Sequence, residues 1–398
     1  MADTVADGAS QRRLSWPVQL DKLGVVIAVL TGWGLLLAPF ATMRANRIVA
    51  GEAMGVVASL PVWAAALLLA AILTATIIAI PRTPTALRFL AGLVALAVLA
   101  ILIGVAGGHL TPDGNTYARV SPAYGFWLLL FAFALLTTDA MARLKLGPVA
   151  RIGMLGLTTL AIGLLLVSGQ WDTLSIMKEY SSRAETFSTE LIRHLLLAFG
   201  SLAAAVVVGL PLGIAAHRIA RIRAPVLNVL NIIQTVPSIA LFGILIAPLA
   251  WIAANVPGAS AIGIRGIGAA PAFVALFLYS LLPVVANTVV GLAGVPRQAN
   301  DAARGMGMTD GQRLAKVEFP LAFPVILTGI RIVLVQNIGM ATIAALIGGG
   351  GLGVFVFQGI GQTAMDLVLL GALPTVAMAF AAAVVLDAII EMTERRGR

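Results

Sequence analysis

Residues 294–332 read GVPRQANDAARGMGMTDGQRLAKVEFPLAFPVILTGIRI, and their reading decides what kind of protein this is. A plain connection between two helices needs only a handful of residues, yet this stretch is long and strongly patterned. Ala299, Ala302, Ala303 and Met306 recur at helical spacing and make a narrow face of small residues, after which Gly305 and Gly307 permit a turn. Thr309 and Gln312 stand as a capping box for a second short helix. Leu314 and Val317 share its apolar face, Arg313 and Lys316 point elsewhere, and Pro320 ends it. The stretch predicts a compact, protruding helix–turn–helix, which is a docking element.

On either side the chain is almost free of charge. Of 398 residues 60% are hydrophobic and 11% charged, less than half the charge that a soluble surface carries. Charges fall in short clusters between the windows 23–43, 53–81, 89–112, 120–138, 152–171, 195–217, 224–264, 266–296, 332–365 and 367–386. About 20 apolar residues cross a bilayer core, so the windows predict ten spans and an all-α integral membrane protein. Prolines 237, 248 and 257 break the longest window, leaving a span near 236–254 and a loop after it. The ninth span begins near Ile326, with Arg331 close enough to its end to snorkel. With the N-terminus inside, eighteen Lys and Arg residues lie on the cytoplasmic side and seven outside. That places both termini and the 295–325 loop in the cytosol. The first 22 residues lack an apolar core with a cleavage site, so no cleavable signal peptide is expected.

Several chemistries are disfavoured by residue type. Cysteine is absent, and the three histidines, 109, 194 and 217, do not share the spacing of a metal site, so neither metal nor catalytic residue is expected. The net charge of +9 follows loop asymmetry and does not point to nucleic acid. None of the four lysines follows a glycine, so the chain has no phosphate-binding P-loop. The run from Gly348 to Gly353 follows a span, and a flexible or re-entrant turn explains it better than a nucleotide site.

The organisation predicted along the chain is a cytoplasmic tail over 1–22, a five-span region over 23–170, an external segment over 171–194, a membrane domain over 195–392 containing the loop 295–325, and a tail over 393–398. Spans one to five carry almost no polar residues. Asp139 is set at a span end, where it reaches water. The external segment alternates charged and apolar residues and reads as an amphipathic helix lying at the interface. Later spans contain Pro211, Pro237, Pro248, Pro283 and Pro374, which free backbone carbonyls and suit helices that surround a cavity. Polar residues accompany them: Gln234, Thr235 and Ser238, then Tyr279, Ser280 and Asn287, then Gln336 and Asn337. These are the candidate lining of a translocation pathway, with interhelical hydrogen bonding as the structural alternative.

The loop resembles the signature of binding-protein-dependent ABC importer permeases. Asp301-Ala302-Ala303, Gly307 and Val317-Glu318-Phe319-Pro320 match a pattern of EAA, three residues, Gly, nine residues, Ile, any residue, Leu and Pro, with Asp, Val and Phe as departures. NIIQTVPSIALFGILI (231–246), FLYSLLPVVANTVVGLAGV (277–295) and NIGMATIAALIGGGGLGVFVFQGI (337–360) are similar to permeases for glycine betaine, choline and related osmoprotectants. That likeness covers about 190–392, and the five extra spans are similar to a longer, YehY-type form.

The resemblance implies a permease domain of the methionine/betaine importer type in a bacterial inner membrane. It implies two copies of a cytosolic ABC ATPase, a second permease of the same or a related chain, and an external substrate-binding protein. The chain itself would bind no cofactor, and ATP and Mg would be used by the ATPase. Asp301, Ala302, Ala303, Arg304, Gly307, Val317 and Pro320 would form the coupling loop, with Gly307 its turn and Asp301 and Arg304 its polar contacts. Quaternary ammonium solutes are held by aromatic cages, and Tyr279 is the one conspicuous aromatic on the polar spans, so that cage is expected in the binding protein. An importer of another small solute, such as an amino acid, fits the same motifs. An ion-coupled transporter would place acids or histidines at mid-span, and none falls there.

Overall fold

The computed structural model describes residues 20–47 and 49–396. Most of the expected N-terminal tail and residues 397 and 398 lie outside them. Contacts divide the chain into two compact units, Met1–Lys145 with Ser168–Leu174, and Leu146–Val167 with Ser175–Arg398.

The first unit holds helices α1 (Lys22–Leu36), α2 (Val56–Ser59), α3 (Val62–Ala79), α4 (Thr85–Leu110) and α5 (Tyr124–Leu144), with strands β1 (Ala41–Arg44), β2 (Glu52–Met54) and β3 (Arg119–Pro122). The strands form an antiparallel sheet in the order β2-β1-β3, with Thr42 opposite Ala53 on one side and Ser121 on the other. This sheet is hidden in the sequence because its strands are only three or four residues long and lie at the edges of the apolar windows, too short to show an alternating pattern. The first window is expected to cross as one helix, but α1 stops at Leu36, and Pro39, which cannot continue a helix, leads the chain into β1. At about 1.5 Å per residue α1 is short for a bilayer core.

Charges at the start of this unit are paired. Asp21 caps α1, accepting from the amides of Leu23 and Gly24, and holds Arg88 at 2.9 Å. Arg88 is 2% exposed, so a residue expected in a loop is built into the first turn of α4. Asp139 pairs with Arg143 at 2.9 Å, and Arg143 also reaches Asp21.

The second unit runs through α6 (Pro148–Val167), α7 (Ser175–Ser181), α8 (Ala184–Arg218), α9 (Ala220–Thr235), α10 (Ser238–Ile244), α11 (Ile246–Asn255), α12 (Ala269–Ala293), α13 (Arg297–Gly305), α14 (Asp310–Arg313), α15 (Phe319–Met340), α16 (Gly353–Gly361) and α17 (Met365–Arg396). Its core lies where α8, α12 and α15 meet. Small residues along α8, among them Ala198, Ser201, Ala205 and Gly209, let the neighbouring backbones approach. Leu202, Val284, Val333, Leu334 and Ile338 fill the space between them.

Among the described residues nine helices are long and apolar enough to cross a membrane, and α1 occupies the remaining window. Helices α10 and α11 together carry the span expected near 236–254. Three local expectations are corrected. The segment 171–194 does not form one surface helix: residues 184–194 are the first turns of α8, and Glu190 is buried there by its partners within the unit. By contacts α6, the fifth span of the expected 23–170 region, groups with the second unit, where it packs on α17 and Arg151 pairs with Glu391. Arg331 finds Asp387 of α17 at 2.6 Å instead of relying on headgroups, and α17 stays helical through most of the expected tail.

Candidate functional site

The patterned loop folds into the two short helices expected of it. Helix α13 buries Ala303 and leaves Asp301, Ala302 and Arg304 exposed, so its polar face is available. Gly307 turns the chain with φ +77°, a conformation that L side chains rarely adopt, and open space surrounds its α-carbon. The capping box is complete: the Gln312 amide donates to the Thr309 hydroxyl at 3.3 Å, and the Thr309 amide donates to the Gln312 side chain at 3.0 Å.

Beyond this cap two expectations fail. Pro320 does not stop the helix. Residues Leu314–Glu318 make a π-turn in which the Phe319 amide reaches back to the Leu314 carbonyl, and α15 follows without a break. Pro320 lies just past the π-turn, whose wider winding lets the helix continue through a residue that has no N–H to give. Val317 is half-buried and Pro320 exposed.

Arg313 does not point outward either. It is buried, with Asp310 and Glu318 each at 2.9 Å. The other oxygen of Glu318 takes Arg218, the last residue of α8, at 2.6 Å. Beneath this cluster Leu292, Val295, Ala322 and Ile326 pack with Leu210 and Ile214 of α8 and with Leu314.

The polar residues of the later spans separate into two sets. Tyr279, Ser280 and Asn337 are buried. Asn337 donates to the hydroxyls of Ser201 and Ser280, each at 2.9 Å, joining α15 to α8 and α12. Tyr279 donates its hydroxyl to the Val236 carbonyl, and Gln234 returns a bond from its amide to the Tyr279 carbonyl at 2.7 Å. These four therefore serve interhelical bonding. Gln234, Ser238, Asn287 and Gln336 are half-buried and Thr235 is exposed. Asn287 donates to the Pro283 carbonyl at 2.8 Å, Thr235 to the Ile232 carbonyl at 2.7 Å, and the Gln336 amide lies 3.4 Å from the Met340 sulfur.

Two family models match the chain. One, described as a binding-protein-dependent transport system inner membrane component, covers residues 182–398, and the other, the N-terminal domain of the ABC transporter permease YehY, covers 21–177. The chain belongs to the binding-protein-dependent transport permeases. It is 44% identical to the osmoprotectant import permease protein OsmW of Salmonella typhimurium over 181 residues, 46% of this chain and 79% of that protein. It is 35% identical to the glycine betaine/carnitine/choline transport system permease protein OpuCB of Bacillus subtilis over 203 residues, 51% of this chain and 84% of that protein. A chain solved in inward-facing conformations of the MetNI methionine ABC transporter covers 53% of this chain, with 97% of its own length, 22% identity and a TM-score of 0.44.

This permease is thus a multi-pass inner-membrane protein whose ten windows all carry helices. Sequence reasoning missed two features of it. The first is the Arg218–Glu318–Arg313 cluster, whose members are scattered over about a hundred residues of chain. The second is the lock on the glycine run. Gly348, Gly350 and Gly351 all have positive φ, and the run is a fixed turn, not a flexible one. Glu190 accepts from the Gly351 amide at 2.6 Å, and His194 Nδ1 accepts from the Leu352 amide at 3.3 Å. That leaves the proton on His194 Nε2, which donates to the Ile338 carbonyl at 2.9 Å. A glutamate and a histidine at i,i+4 near the start of a long helix were the available signal.

Proposed function

We propose that this permease is the membrane-spanning subunit of an ATP-driven importer for a small osmoprotectant, such as glycine betaine or another quaternary ammonium solute. The observation that carries the coupling is the exposed α13 face, with Asp301 and Arg304 turned outward and Gly307 setting the reversal that follows. This face suits a separate cytosolic ATPase, two copies of which serve a pair of permeases. Both termini lie in the cytosol in this reading, which the distribution of Lys and Arg supports. ATP and Mg are used by the ATPase, and the chain is a transport subunit without catalysis of its own.

The substrate class rests on the names of the relatives, which import osmoprotectants, glycine betaine, carnitine and choline. Solute arrives from an external binding protein that supplies the aromatic cage. Among the polar span residues, Thr235, Ser238, Asn287 and Gln336 are the candidates for the pathway, since they are not fully buried and, unlike Gln234, their side chains are not bonded to another helix. Closure of the ATPase pair moves the coupling loops, and the proline-containing helices open the pathway alternately to the two sides.

The test is purification of the tagged permease in mild detergent, followed by identification of subunits that come with it. An ATP-binding subunit that is lost on Gly307→Val is the expected result. Solute uptake in vesicles, with glycine betaine, choline, carnitine and a panel of amino acids, then assigns the substrate. A permease that purifies with its loop intact and without any nucleotide-dependent partner defeats the ATP-driven reading.

A further inference from the structure

The coupling loop is joined to the membrane helices in two ways. One is the peptide chain itself, which runs from α14 through the π-turn into α15. The other is the ionic cluster centred on Glu318. Its carboxylate is 4% exposed and divides its two oxygens between guanidinium groups from different places in the fold. Oε1 takes Arg313 from the loop helix at 2.9 Å, and Oε2 takes Arg218 from the end of α8 at 2.6 Å.

Burial sets the strength of this arrangement. A carboxylate withdrawn from water is stable only while its partners are held, and removing one is costly because the charge is left uncompensated. Asp310 gives Arg313 a second acceptor at 2.9 Å, which fixes the guanidinium from the loop side. Arg218 is one-third exposed and its carboxylate contact in the cluster is Glu318, so it is the member that can let go without burying a lone charge. The apolar floor under the cluster is shared by α8, α12, α15 and the π-turn, so the same elements are in contact below the ion pairs.

We propose that Glu318 and Arg218 form a clamp that passes displacement of the coupling loop directly to α8. Glu318 and Arg218 are positioning residues in this account. The inference rests on the ATP-driven reading and adds which membrane helix the loop pulls. The loop and the end of α8 move together through the cycle, while the π-turn, whose hydrogen bonds reach one residue further back, is where α15 adjusts its winding.

The chain has no cysteine, so two introduced cysteines are the only sites for spin labels. Gln298→Cys on α13 and Val207→Cys on α8, both at exposed positions, report the loop-to-helix distance in the permease purified with its ATPase. With the clamp intact, that distance is the same before and after ATP is trapped with vanadate. In Arg218→Gln it shifts by about 2 Å or more on trapping, while ATP hydrolysis stays within about twofold of the parent. Arg218→Lys, which keeps the charge, restores most of the constancy. Glu318→Gln, which leaves Arg313 its bond to Asp310, gives the same loss as Arg218→Gln and serves if that variant does not fold.

A distance that shifts with ATP in the parent, or that stays constant in both clamp variants, overturns the proposal while leaving the importer reading in place. Absence of an ATPase from the parent preparation is a different result. It removes the importer reading, and the clamp with it, before any distance is read.

Discussion

The carbonyl of Tyr279 accepts the side-chain amide of Gln234 at 2.7 Å, and it is the carbonyl that Pro283 leaves without its helical donor four residues on. The gap that Pro283 leaves in the α12 hydrogen-bond ladder is therefore filled from α9. Gln234→Leu strands that carbonyl and is expected to cost about 1–3 kcal/mol. Pro283→Ala supplies an amide to it, so the double variant recovers most of the loss. Thermal unfolding of the four proteins in one detergent checks this. Equal losses with and without Pro283 would show that Gln234 stabilises the permease by some other contact.

Gly307 separates conformation from crowding. Its φ of +77° opposes any side chain, yet no atom lies within reach of an added Cβ. Gly307→Ala therefore strains the loop by about 1–2 kcal/mol without a clash. Global melting is expected to change little and recovery of the ATPase on co-purification to fall. Gly305→Ala, in equally open space at the end of α13, is expected to leave both unchanged.

Gly353 is the opposite case. An added Cβ would lie 1.8 Å from the Thr342 carbonyl oxygen, which is backbone and cannot rotate away. Gly353→Ala is expected to prevent accumulation of folded permease, whereas Gly361→Ala, at the open end of α16, is expected to be tolerated. Size-exclusion profiles of fluorescent fusions distinguish the two.

Asp21 gives a pH dependence with a definite sign. Its hydrogen bond to Arg88, opposed by burial and assisted by the Gly24 amide, holds its carboxyl down at about 2. Free aspartate titrates near 3.9, so the folded state favours the charged form by about 2 kcal/mol. That contribution is complete above about pH 4 and fades as the pH falls towards 2. Asp21→Asn lacks it at every pH. The stability difference between parent and variant should therefore be larger at pH 5 than at pH 2.5, and a gap that does not narrow on acidification would remove the assignment.

Nine of the ten expected spans are legible because a bilayer demands uninterrupted apolar runs, and the loop because its cap and glycine turn are local signals. Pro320 misleads for a physical reason. A proline normally ends a helix, but just past a π-turn the wider winding accommodates its ring and its missing amide, and the helix runs on. Arg313 misleads because helical periodicity assigns a direction but cannot reveal a buried acid on the same side, here Glu318. Gln234, Tyr279, Ser280 and Asn337 are recognisable as polar residues on later spans. Their division between helix bonding and open surface depends on neighbours distant in sequence, such as Ser201 and Val236. The three-stranded sheet leaves no mark because strands of three and four residues are too short to show an alternating pattern.

Asp310 to Met340 is one uninterrupted helical rod of 31 residues, about 46 Å long at 1.5 Å per residue. A tilt of about 5° at the loop end would sweep the far end sideways by about 4 Å, more than the length of a hydrogen bond. Close to that far end stands the glycine turn, pinned to α8 by Glu190 and His194. Helix α8 is also held at its other extremity by Arg218. The two helices are thus rungs and rails of one ladder: leverage applied at the docking segment either carries the opposite mouth of the unit with it or must first unfasten a buried acid.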